Sequence, residues 1–187
     1  LFDLPDYMIE SPTVTFNPTV VTSNIDSFDV NVLVTNLGKA ISDTIILEVV
    51  RNFPGNSFAD TIYSKAFSVT NYQKTISFRM PVDIVKGFGL NNFTIEVDAA
   101  QFVDEIFENN NIVTTSLNIF SGEIIPVYPY EFMIVPDTFP TLTTLKASTA
   151  FPFEPVKDYL FEIDTTDYFN SPIKETTTIN SGGGVVT

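Results

Sequence analysis

Neither cysteine nor histidine occurs anywhere in the 187 residues, and tryptophan is absent as well. Without Cys there are no disulfides. Without Cys and His, the usual zinc sites and every Ser-His or Cys-His nucleophile arrangement are excluded. The missing Cys does not fix the redox compartment, because secreted chains also do without it. Basic residues are scarce, with nine Lys and Arg against 23 Asp and Glu and a formal net charge of −14. A field of that sign repels phosphate backbones, so nucleic acid is excluded as a partner. What remains for the acidity is a solvated surface or an affinity for Ca²⁺. No apolar run approaches the roughly 20 residues of a bilayer-spanning helix, so no membrane span is expected. A charged-then-apolar leader is lacking too, and any signal peptide is expected to lie outside these residues.

What is present suits a sheet protein. The hydrophobic fraction is 44%, and 18 Phe with seven Tyr supply a large aromatic payload for a packed interior. The length fits one large domain or two small ones.

Alternation of period two recurs along the first part of the chain. Leu4–Ile9 followed by Val14–Phe16 reads as a first strand, which Pro12 and Pro18 confine to an edge. Phe28, Val30, Val32 and Val34 form an inward set that ends at Asn36–Leu37–Gly38, a turn sequence. Further strands follow at Ile45–Val49, Ile62–Phe67, Ile76–Met80, Phe93–Val97 and Val113–Ile119, with Pro54-Gly55 as the strongest breaker between them. Val30, Val32, Leu47, Phe78, Ile95 and Leu117 are predicted to share one core. No stretch sustains a 3.6-residue period. About seven short strands in so few residues is the signature of a β-sandwich.

After Phe120 the pattern changes. Ile124–Tyr130, spaced by Pro126 and Pro129, reads as a semi-rigid interdomain strand. Strands are expected at Glu131–Val135, Leu142–Ser148, Tyr159–Ile163 and Ile173–Ile179, with Tyr159, Phe161 and Ile163 facing inward. The predicted domains are therefore an Ig-like β-sandwich over residues 1–120 and a second β module over 121–187. Four or five strands are few for a sandwich, so the second module is expected to be incomplete and to favour self-association through residues 121–187.

Three phrases of the first domain carry a family resemblance: Pro5–Asp6–Tyr7, Thr35–Asn36–Leu37–Gly38, and Val97–Asp98 through Glu105–Ile106–Phe107–Glu108–Asn109–Asn110. Together they resemble the CARDB module, a cell-adhesion-related Ig-like domain. The chain departs from that pattern at Ala99–Ala100–Gln101, where the family often has Pro and Asn. In the second segment, Val127–Tyr128–Pro129–Tyr130–Glu131–Phe132–Met133–Ile134–Val135–Pro136, Leu145–Lys146–Ala147–Ser148–Thr149 and Phe161–Glu162–Ile163–Asp164–Thr165–Thr166–Asp167–Tyr168–Phe169–Asn170–Ser171–Pro172 resemble a fibronectin-type-III-like module. That module occurs in large bacterial proteins of the type IX secretion route, among relatives of gingipain-type peptidases and their sortase. The resemblance implies a secreted or cell-surface bacterial location and non-catalytic modules. The Cys and His of such peptidases are absent here.

Asp98, Asp104, Glu105, Glu108 and Asn110 offer hard oxygen ligands and form a candidate Ca²⁺ set. The competing reading is structural: Asn side chains cap exposed backbone and the carboxylates face water. No other cofactor is expected. Tyr168 and Phe169 in the Asp164–Pro172 loop are candidate contact anchors, and Tyr63, Tyr72 and Tyr128 are candidates for sugar stacking. Glycoside hydrolysis needs only two carboxylates, but nothing in the chain suggests a deep cleft, so no catalytic residues are assigned. The expectation is a non-catalytic adhesion or spacer protein. Its partners would be other domains of the same large protein, or a surface protein or glycan. The alternative is a carbohydrate-binding module attached to a secreted hydrolase.

Overall fold

The computed structural model describes residues 3–56, 58–68, 72–130, 133–134 and 144–187. The chain divides into two compact units, Leu1–Phe120 and Ser121–Thr187. Strands dominate both, and the helical elements among the described residues are single 3-10 turns at Ser11–Thr13 and Pro54–Asn56.

The first unit is an Ig-like antiparallel β-sandwich. One sheet is centred on β4 (Ser27–Asn36), whose even positions Phe28, Val30, Val32 and Val34 are fully buried. Along one side of β4 runs β7 (Gln73–Pro81), with Phe78 opposite Val30. Along the other side lie β1 (Tyr7–Met8) and β2 (Val14–Asn17), end to end. The single first strand expected from the alternation is thus two. Pro12 cannot donate to a ladder, and the Glu10 carbonyl accepts both the N–H and the hydroxyl of Thr13, which closes a turn between them.

The second sheet holds β3 (Val21–Thr22), β5 (Ile45–Asn52), β6 (Thr61–Phe67), β8 (Gly89–Val97) and β9 (Ile112–Phe120), in the order β3-β9-β8-β5-β6. Only β3 is parallel to its neighbour, β9. Val30, Val32, Leu47, Phe78, Ile95 and Leu117 all belong to the one core between the sheets. Phe28 and Phe93 meet edge to face across it, 6.3 Å between centroids.

One end of this core is closed by a polar plug. Arg51 and Asn91 are fully buried, although Arg51 lies past the Ile45–Val49 strand expected from the sequence. The Arg51 guanidinium lies over the Phe53 and Phe28 rings and donates to Asn91 Oδ1 (3.0 Å), the Pro81 carbonyl (2.6 Å) and the Val82 carbonyl (3.1 Å). Parity was the available signal. Arg51 continues the inward phase of Ile45, Leu47 and Val49, and Asn91 that of Phe93, Ile95 and Val97.

In the second unit, β10 (Ile124–Tyr128), β11 (Lys146–Thr149) and β14 (Val185–Val186) form a three-stranded sheet, and β12 (Lys157–Ile163) pairs with β13 (Glu175–Ser181). Ile124–Tyr128 is therefore a paired edge strand of this unit, a place that tolerates Pro126. Of the trio predicted to face inward, Tyr159 is buried and Phe161 half-buried, but Ile163 is 53% exposed. A two-stranded ladder offers a narrow face, and its apolar phase outruns what covers it. The strand expected at Ile173–Ile179 starts at Glu175, because Ile173 lies in a turn in which the Lys174 N–H donates to the Ser171 carbonyl. The strand expected at Leu142–Ser148 is observed as Lys146–Thr149, with residues 142–143 outside the described residues. The one expected at Glu131–Val135 falls outside them too, apart from Met133 and Ile134.

Candidate functional site

The three phrases that carry the resemblance lie far apart in sequence and meet at one end of the first unit. Residues 4–9 run extended between the turn that ends β4 and the connection 98–111 that joins β8 to β9.

On the turn side, Asn36 Oδ1 accepts the N–H groups of Asp6 (3.1 Å) and Gly38 (3.0 Å). Its amide donates to the Lys39 carbonyl at 3.1 Å. The Leu37 and Lys39 N–H groups donate to the carbonyls of Asp6 and Leu4. Gly38 allows this approach, since a Cβ there would stand 2.3 Å from the Leu4 carbonyl oxygen.

On the other side, the connection leaves β8 at Asp98. That residue adopts the left-handed conformation (φ 51°), which Asp tolerates better than most residues. The Asp98 N–H donates to the Ile46 carbonyl, and its own carbonyl accepts the Gln101 N–H. Asp98 Oδ2 accepts the Val103 N–H at 2.8 Å and so folds the loop around itself. Glu105 Oε2 then accepts the Tyr7 N–H at 2.6 Å, and the Ile106 N–H donates to the Pro5 carbonyl at 3.0 Å. The Asn110 amide donates to Asp6 Oδ1 at 2.8 Å, while the Asn110 carbonyl accepts the Ile9 N–H.

Of the candidate Ca²⁺ residues, Asp98 is 1% and Glu105 7% exposed. Asn110 is half-buried, and Asp104 and Glu108 are exposed, with Glu108 Oε1 accepting the Glu105 N–H at 2.9 Å. Among the described residues no three acidic side chains stand close enough to hold a metal ion by themselves. Burial pushes the Glu105 carboxyl up to about 7. The Tyr7 N–H and the Asn111 side chain favour its charged form, while Glu108 and Asp98 oppose it. Burial, reinforced by Glu105, Asp98 and Asp43, also pushes the Tyr7 hydroxyl up to about 12.

The outer face of the same connection is apolar. Phe102 is 73% and Phe107 58% exposed, on a backbone held by the bonds just described. Composition gave no hint of this, because nothing in a Phe-rich chain separates an outward Phe from a core one.

In the second unit, Asp164 organises the loop that presents Tyr168 and Phe169. Its carboxylate accepts the N–H groups of Thr165 (2.6 Å) and Ser171 (2.9 Å) and the hydroxyls of Ser171 and Thr166. The Ser171 hydroxyl is the main cause that holds its pKa down at about 2. Tyr168 projects into solvent and Phe169 is partly covered. Phe169 lines a cavity of about 310 Å³ together with Tyr128, Pro129 and Phe161. Tyr63 packs half-buried against the first unit's core, whereas Tyr72 is largely exposed. The three tyrosines considered for sugar stacking thus stand on separate elements.

No family model and no curated protein matches this chain. Among solved structures, the chain is similar in fold to a CARDB domain. The crystal structure of the CARDB domain of the PF1109 protein from Pyrococcus furiosus, in complex with di-metal ions, is 24% identical. That match covers 63% of this chain and 90% of that one, with a TM-score of 0.44. The solution NMR structure of the same domain is 24% identical over 63% of this chain and 97% of that one, with a TM-score of 0.39. No helix among the described residues is long and apolar enough to cross a membrane.

Proposed function

We propose that this chain is a pair of non-catalytic modules, serving adhesion or spacing, from a large secreted or cell-surface bacterial protein. The observation that carries this reading is the use made of the acidic connection. Its inward polar groups hold the backbone of residues 4–9, while Phe102 and Phe107 are offered to solvent on that fixed frame. Exposed aromatics on a rigid loop suit contact with a partner surface better than turnover of a substrate. The type IX route and a fibronectin-type-III-like second unit rest on the sequence phrases given above. Partners are other domains of the parent protein and a surface protein or glycan.

Beads coated with the chain, scored for adhesion to bacterial cells, test the reading. The Phe102→Ala/Phe107→Ala variant is expected to lose at least about tenfold in retention, the scale of truncating two interface anchors. Full retention by that variant contradicts the surface assigned.

A second reading, a carbohydrate-binding module of a secreted hydrolase, is favoured by the aromatic lining of the cavity at Tyr128, Phe161 and Phe169. It predicts saturable binding on a glycan array that Tyr128→Ala removes.

A further inference from the structure

We propose that the buried carboxylates Asp98 and Glu105, with Asn110 of the same connection, take up one hard divalent cation of the Ca²⁺ class. The inference goes beyond the adhesive or spacing role and holds whether or not Phe102 and Phe107 meet a partner.

Its basis is a set of buried oxygens left over after the backbone bonds are counted. Asp98 Oδ2 and Glu105 Oε2 each accept a backbone N–H, from Val103 and Tyr7. Asp98 Oδ1, Glu105 Oε1 and Asn110 Oδ1 are buried and have no hydrogen-bond partner, and neither has the Tyr7 hydroxyl. A buried carboxylate oxygen without a donor is costly, and two such carboxylates that act on each other and on the Tyr7 hydroxyl point to a missing positive centre.

Among the described residues no basic side chain supplies that centre. The ion pairs among the described residues are Lys86–Asp83, Lys157–Glu154 and Lys174–Glu162, none of them here. The charges that act on Glu105 are Glu108 and Asp98, both of its own sign.

The donor chemistry selects the ion. Two carboxylates and one amide oxygen, with neither nitrogen nor sulfur donors, suit a hard cation that takes oxygen ligands and completes its shell with water. With only two carboxylates, the site belongs in the weak range of extracellular modules, about 10⁻⁴–10⁻³ M. Occupancy would join residues 98, 105 and 110, and so fasten the connection that carries Phe102 and Phe107 and grips residues 4–9.

The test is thermal unfolding of the full chain in CaCl₂ or in chelator, at fixed ionic strength and neutral pH. Wild type is expected to gain roughly 8 °C at a hundredfold excess over the half-point. Asp98→Asn and Glu105→Gln are expected to lose that gain, while Asp104→Asn, altered at an exposed carboxylate, keeps it. Terbium emission excited through tyrosine and displaced by Ca²⁺ gives a second readout in the wild type, should a variant fail to fold. A melting curve that ignores Ca²⁺, or a gain of equal size in Asp98→Asn and Glu105→Gln, overturns the proposal.

Discussion

The Tyr7 N–H donates to Glu105 Oε2 at 2.6 Å, across 98 positions of sequence. It joins the first strand to the connection before the last strand of the sandwich, and it does so through a carboxyl that burial pushes up to about 7.

That shift has a sign. The ordinary value of this carboxyl is 4.5, so between about 4.5 and 7 the folded chain binds a proton that the unfolded chain has released. Its contribution to stability is therefore fully present below about 4.5, declines as pH rises to about 7, and is lost above that. The loss is on the order of 3 kcal/mol, from 1.36 kcal/mol per unit. In chelator, the difference in unfolding free energy between wild type and Glu105→Gln should follow this curve, with the variant more stable at pH 8. A difference that stays flat between pH 4.5 and 8 contradicts it.

The Arg51 plug makes a second prediction. Replacing Arg51 by Lys keeps a charge but loses the planar fork that reaches Asn91, Pro81 and Val82 together. The loss should be on the order of 3 kcal/mol in a denaturant titration, because buried acceptors are left unpaired. A change under about 0.5 kcal/mol, the range of ordinary surface substitutions, would mean that the plug is dispensable.

Much of the first unit was legible because its strands bury one face, and one-sided burial writes itself as alternation. The phases of β4, β5, β7, β8 and β9 were read that way. The break between β1 and β2 was not, because it depends on how Glu10 and Thr13 bond to each other. Arg51 and Asn91 were missed because a polar residue in an inward phase looks like the end of a strand. In the acidic run, the residues that turn inward, Asp98 and Glu105, obey no strand period, since the connection is irregular and folds around fixed backbone donors. Ile163 misled for the opposite reason: a regular apolar phase continues past anything that covers it.

Leu160, Ile163 and Ile173 are all more than half exposed in the second unit. Exposed apolar groups beside open strand edges favour association, and we expect it through residues 121–187. Sedimentation velocity should show a concentration-dependent shift that Leu160→Asp reduces. A chain that stays monomeric at every concentration contradicts this.

Native-state hydrogen exchange at the Tyr7 amide tests the central claim most directly, namely that the acidic connection holds the first strand. Tyr7 is fully buried and its N–H donates to the Glu105 side chain. We predict protection close to that of the Val30 and Val32 amides in the wild type, and faster exchange at Tyr7 by at least about tenfold in Glu105→Ala with Val32 far less affected. A Tyr7 amide that exchanges like an exposed one in the wild type would contradict the account.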